Sequence, residues 1–139
     1  NLVNRYQKIC EKYNDFDNAL EGNHYKKYTE IIEDFGYKPK YFRNEKFFRI
    51  EEMKENIVFG IQITLKNGMV EVMFDSKLNN SWFVPDGRID FICEEIDSNF
   101  DRNQYNISDY TSLEELKIIL REIFKIYEDF KTEIVKEYV

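Results

Sequence analysis

Apolar residues change their period twice along this chain, and each change marks a different kind of element. Leu2, Tyr6, Ile9, Tyr13, Phe16 and Leu20 recur at helical spacing and form one stripe of an amphipathic helix. Glu21-Gly22-Asn23 interrupts it, because Gly and Asn are poor in helix interiors and good terminators. The stripe resumes with Tyr28, Ile31, Ile32 and Phe35, and Gly36 stands where a helix-ending glycine belongs. The pattern is that of two helices or of one kinked helix.

From Ile57 the period falls to two. Ile57, Phe59, Ile61, Ile63 and Leu65 alternate with Val58, Gly60, Gln62 and Thr64, as in a strand with one buried face. Asn67-Gly68 follows, a type I′ hairpin signal whose two central positions both need positive φ. Counting outward from this turn predicts the pairs Leu65 with Val70, Ile63 with Val72 and Ile61 with Phe74. That register puts the apolar residues of both strands on one face. Phe48 and Ile50 predict an earlier strand near Lys46–Glu52. Two more, Ser81–Val84 and Arg88–Glu94, are expected on either side of Pro85-Asp86-Gly87, the second from the alternation of Ile89, Phe91 and Cys93.

The helical period returns with Leu113, Leu116, Leu120, Ile123, Tyr127, Phe130 and Ile134, widened by Ile119 and Phe124. Thr111 with Glu114 and Ser112 with Glu115 form overlapping capping boxes at its start, for a helix of about 24 residues. The expectation is one α+β domain over residues 1–139: N-terminal helices, a four- to five-stranded antiparallel meander, and a long C-terminal helix packed on the sheet.

Charge sharpens the picture. The net charge is −7, which argues against nucleic acid as a partner. All of the excess comes from Asp75 to Glu115, where ten acids meet only Lys77, Arg88 and Arg102; elsewhere the signs balance. This stretch reads either as a solvated acidic loop or as a face that attracts a basic partner. Trp82, Phe83, Phe100, Tyr105 and Tyr110 interleave with the acids, as anchors in a protein-binding patch or as the rim of the core. The candidate partner-binding residues are Trp82, Asp86, Asp90, Glu94, Glu95, Asp97, Phe100 and Asp101.

Catalytic chemistry finds little material. With one histidine, His24, a Ser-His-Asp or Cys-His arrangement would have to use it. Five glycines form no phosphate-binding motif. Asp97-x-Asn99-x-Asp101-x-Asn103 alternates oxygen ligands as a calcium loop does. Arg102 and Ser108, however, occupy the positions where an EF-hand needs Gly and Glu. Glu51/Glu52 and Glu94/Glu95 are neighbours in sequence, and adjacent strand residues point to opposite faces. No enzyme, metal or cofactor is expected. Cys10 and Cys93, each beside an isoleucine, read as small buried hydrophobes. No apolar run is long enough to span a membrane, and Asn1–Cys10 lacks the apolar region of a signal peptide, so a cytoplasmic protein is expected.

Helices, a meander carrying Ile61–Phe74, then Trp82-Phe83 and a long last helix, in a small acidic chain rich in Asn, Lys and Ile, resemble the immunity proteins of bacterial polymorphic-toxin and contact-dependent growth-inhibition systems. The resemblance lies in architecture and composition. It implies a protein that neutralises a cognate toxin domain, often a basic nuclease, by covering its active site. The alternatives are a small-ligand domain with a pocket lined by some of the 10 Tyr and 12 Phe, or an oligomeric regulatory subunit.

Overall fold

The computed structural model describes residues 1–83 and 86–139. Helix α1 spans Leu2–Lys12 and is capped by the Asn1 side chain, which accepts from the backbone N–H of Asn4. It ends well before Leu20, where the apolar stripe runs out. The Asn14 side-chain amide donates to the Glu11 carbonyl, and the Asn18 amide to the Asp15 carboxylate. Short polar side chains that bond nearby groups in this way compete with helix continuation. A 3-10 turn at Phe16–Asn18 follows, and Phe16 is exposed instead of extending the stripe. Helix α2 spans Tyr25–Asp34 and stops as expected at Gly36, whose φ is +95°.

The meander consists of β1 (Lys40–Phe42), β2 (Phe47–Lys54), β3 (Ile57–Lys66) and β4 (Met69–Leu78), all antiparallel. The register read from Asn67-Gly68 is the observed one: Leu65 pairs with Val70, Ile63 with Val72 and Ile61 with Phe74. Three two-residue strands then pair with the outer edge of β4: β5 (Ser81–Trp82), β6 (Gly87–Arg88) and β7 (Ser108–Asp109). They bring the sheet to seven strands and cover an edge that would otherwise present unpaired backbone groups. Val84 and Pro85, which the expected strand and turn included, lie outside the described residues.

The expected strand Arg88–Glu94 is mostly helix. After Arg88, α3 spans Ile89–Ile96, with Ile89, Ile92 and Cys93 buried and Phe91 exposed. The alternation of Ile89, Phe91 and Cys93 coincides with a helical set made by Ile89, Ile92 and Cys93, and over so short a run both periods fit. Packing against α1 decides for the helix.

Helix α4, Leu113–Tyr138, begins at Ser112, whose hydroxyl accepts from the Glu115 N–H. The Glu115 carboxylate reaches back to the Thr111 N–H, so one of the two capping boxes forms, its return bond landing one residue upstream. The helix crosses the inner face of the sheet. Phe74 meets the rings of Tyr127 and Phe130 at 5.6 and 5.2 Å between centroids, and Phe59 meets Phe130 at 6.4 Å. At the far side of this core the Tyr110 hydroxyl donates to that of Tyr28 at 2.8 Å.

A polar clamp fixes α4 to β2. Lys131, 7% exposed, bonds Glu52 and Glu128 at 2.9 Å each, Tyr127 donates to Glu52, and Tyr37 donates to Glu128 at 2.6 Å. The helices pack on the side of the sheet that carries Phe59, Ile61, Val72 and Phe74. Along β4 the alternate residues, Met69 to Lys77, face away from them.

The Asn67-Gly68 turn touches the rest of the chain. The Gly68 carbonyl accepts from Tyr110 N–H, and the Tyr110 carbonyl from Leu20 N–H. A Cβ on Gly68, at φ +72°, would lie 2.8 Å from the Leu20 nitrogen and 2.9 Å from its oxygen. Gly36 also has positive φ but open space around it. Gly68→Ala is therefore expected to cost about 2 kcal/mol or more, from backbone strain and a clash with main chain together. Gly36→Ala should cost only about 1 kcal/mol, from strain alone. Urea denaturation of the two variants measures the difference; equal losses would mean that the turn is not held against Leu20.

Candidate functional site

The structure divides the candidate residues into three groups. Trp82 and Asp86 lie on the side of the sheet turned away from the helices. Trp82 is 56% exposed, pairs with Lys77 across β4 and β5, and has the Lys77 ammonium 5.0 Å from its ring centroid. With Asp86, Met73 and Asp75 it borders a shallow depression of about 200 Å³.

Two of the expected partner residues are interior. Asp90 is 1% exposed because it opens α3 facing inward, and both its oxygens are taken by Arg88, at 3.0 and 3.1 Å, with Arg102 at 4.0 Å. Phe100 is 6% exposed and packs against Tyr105. Neither side chain is available to a partner, so the expectation is corrected for both. The two arginines bound to Asp90 also cover the exposed ring of Phe91, Arg102 at 4.0 Å and Arg88 at 5.3 Å. Of the three cations in the acidic stretch, Arg88 thus neutralises the buried carboxylate, with Arg102 nearby.

Glu94, Glu95, Asp97 and Asp101 remain on the surface, on α3 and the loop after it. Arg102 pairs with Glu94 at 3.2 Å. Among the described residues Glu95, Asp97 and Asp101 form no ion pair. Asp97 and Asp101 instead accept from the backbone N–H two residues on, at Asn99 and Asn103. This use of the side chains accounts for the alternating oxygens that resemble a calcium loop. Among the described residues no cluster of three or more His, Cys, Asp or Glu is placed to hold a metal ion.

Beside these acids lies a feature that the sequence did not disclose. Ile96, 56% exposed between Glu95 and Asp97, forms one wall of a groove of about 540 Å³ between α1, the end of α3 and α4. Leu2, Ile126, Phe130 and Ile134 contribute its apolar surface, and Asp129, Glu133 and Glu137 stand along α4. Arg5 pairs with Asp129 and Lys136 with Glu133, leaving Glu137 without an ion pair among the described residues. A groove with an apolar floor and acids around it can seat an apolar side chain carried on a basic segment. Reading residues 89–96 at helical period would have placed Ile96 at the end of a buried stripe and next to the acids.

Asp109 is a second buried acid, at 1% exposure, with no hydrogen-bond partner for either side-chain oxygen. Burial pushes its carboxyl above the usual range against the opposing pull of the nearby Asp15 and Asp109 backbone amides, and the charges of Asp15 and Glu115 add to the rise. No protein-family model, curated protein or solved structure matches the chain. Among the described residues no helix is long and apolar enough to cross a membrane.

The two buried aspartates should respond oppositely to neutralisation. Asp90→Asn strands Arg88, while Arg102 keeps Glu94, and is expected to cost about 2 kcal/mol. Asp109 has a raised pKa in the folded state, so its contribution is fully present below the unfolded value and is lost as pH rises through the folded one. Asp109→Asn should accordingly gain stability relative to the parent as pH rises from about 4 to 7. Melting temperatures across that range test both, and a parent and Asp109→Asn with parallel pH curves would refute the second.

Proposed function

We propose that this chain is a protein-binding domain of the immunity-protein kind, which captures a basic toxin domain and blocks its activity. The observation that supports this reading is the pairing of unneutralised acids with an apolar groove. Glu95, Asp97 and Asp101 carry no counter-ion among the described residues, and Ile96, which lines the groove, stands between the first two. The acids would draw the partner in over a distance set by the ionic strength. The groove would then hold it by burying an apolar side chain and slow its release.

The ten Tyr and twelve Phe that a ligand-pocket reading relies on include Tyr28, Tyr110, Tyr127, Phe48, Phe59 and Phe74, which are among the largest fully buried side chains. Their rings contact one another and serve the core. The protein-binding reading is therefore preferred.

The test is capture by the tagged chain from a lysate of its source organism at low and moderate salt, with bound proteins identified by mass. The partner is then purified and tested for toxicity to cells with and without the chain. The expected result is one basic, toxic protein that salt releases. The triple variant Glu95→Lys, Asp97→Lys, Asp101→Lys should lose capture and protection by at least tenfold while melting at the parent's temperature. Protection by the triple variant at the parent's level would overturn this site.

A further inference from the structure

The side of the sheet opposite the helices is a built surface with no element of the described chain on it. Its residues follow from the register. Met53 pairs with Val58, Val58 with Lys77 and Lys77 with Trp82, so one row crosses four strands. Its two ends are the most exposed large apolar side chains of the sheet, Met53 at 71% and Trp82 at 56%.

In the middle of the face Arg49 makes two bonds to Asp75, at 2.9 and 3.0 Å, and one to Glu51 at 3.2 Å. Gly60 lies beneath them, and a Cβ there would run into both the guanidinium and the Asp75 carboxylate. Glycine thus lets the ion pair lie flat on the sheet. The Arg49 and Asp75 side chains are each only 19% exposed. Most of their desolvation cost is already met by folding, so covering them adds little.

We infer that this face is the contact between two copies of the chain, packed sheet against sheet about a two-fold axis. Two properties point to a second copy as the occupant. The first is charge: Arg49 is answered within the face by Asp75 and Glu51, and Lys40, Lys66 and Lys77 stand against Glu71 and Asp86. The signs balance on a molecule that is otherwise strongly acidic. A two-fold contact brings a surface against itself, so it tolerates a balanced face and penalises a charged one. The second is area. Strand spacings of about 4.8 Å and rises of about 3.3 Å per residue give this face roughly 600 Å² in projection. Side-chain relief raises that toward the roughly 800 Å² per partner that a stable interface buries.

This inference is independent of toxin capture, which uses residues on the helical side. Its test uses the sole tryptophan, Trp82, as reporter. Sedimentation and Trp emission are measured on the full chain from about 1 to 200 µM, a range over which a micromolar dimer assembles. The expected result is a monomer-to-dimer transition with a parallel blue shift of emission. Met53→Lys should weaken dimerisation at least tenfold without changing the circular dichroism, whereas Ile96→Lys should leave it unchanged. A chain that stays monomeric throughout would overturn the proposal. So would a dimer whose Trp emission does not move or which Met53→Lys leaves intact, since it would form through another face.

Discussion

Phe74 lies between two strands of the meander and two rings of α4, and much of the structure is arranged so that it can. Its contacts with Tyr127 and Phe130 require α4 to cross the inner face of β3 and β4. They also require the strand register in which Phe74 and Ile61 share that face. A slip of one residue would turn Phe74 outward and bring Met73 or Asp75 against the helix. Burying a ring of this size is worth about 2–3 kcal/mol, more than any single surface ion pair here can supply. Hydrophobic contact alone does not set the helix's position along its axis, and the Lys131 clamp does. Burial works against the Lys131 ammonium, yet bonds to Glu128 and Glu52 outweigh it and raise its pKa. Burial likewise opposes ionisation of Glu128, but Lys131 and Tyr37 hold its pKa below the usual range. Each charge is therefore stabilised only with its partners in place, which favours one placement of α4 over its neighbours.

The same demand governs the acidic stretch. A carboxylate taken out of water must be paired or must give up its charge. Asp90 takes the first course and draws Arg88 and Arg102 to it. Asp109 has no such partner, and its pKa rises. Arg88 is committed to Asp90, and Arg102 divides between Asp90 and Glu94, which leaves neither on Glu95, Asp97 or Asp101 among the described residues. The surface field there is thus a consequence of how one interior charge is satisfied.

Where a residue's environment is set by near neighbours, the sequence was readable. Asn67-Gly68 carries its own turn geometry, and the alternation on both sides left one consistent register, so β3, β4 and their pairing could be derived. The long period of α4 and its Ser112/Glu115 cap were equally legible. Residues 88–96 were not, because a run that short satisfies two periods, and the contact with α1 that chooses between them lies far away in sequence. The exposed acids of the candidate site were legible, and the burial of its other members was not. Counting charges located the acids, yet the burial of Asp90 and Phe100 depends on which way α3 faces. The groove at Ile96 depends on α1 and α4 meeting there.

Placing all the helices on one side of a sheet leaves a molecule with two different exteriors. The helical exterior is irregular, with grooves where helices meet, and it carries Glu95, Asp97 and Asp101. The sheet exterior is balanced in charge and apolar at both ends of one row. An irregular charged surface discriminates between partners through long-range attraction and local fit, whereas a neutral one gains most from covering area. Since the two lie on opposite sides of the same β3–β4 core, a partner on one would not bury the other. Strengthening α4's hold on the inner face by substitution inside the core would leave both exteriors unchanged. Any loss of binding from a core variant then reports on the fold, and only surface variants report on the sites.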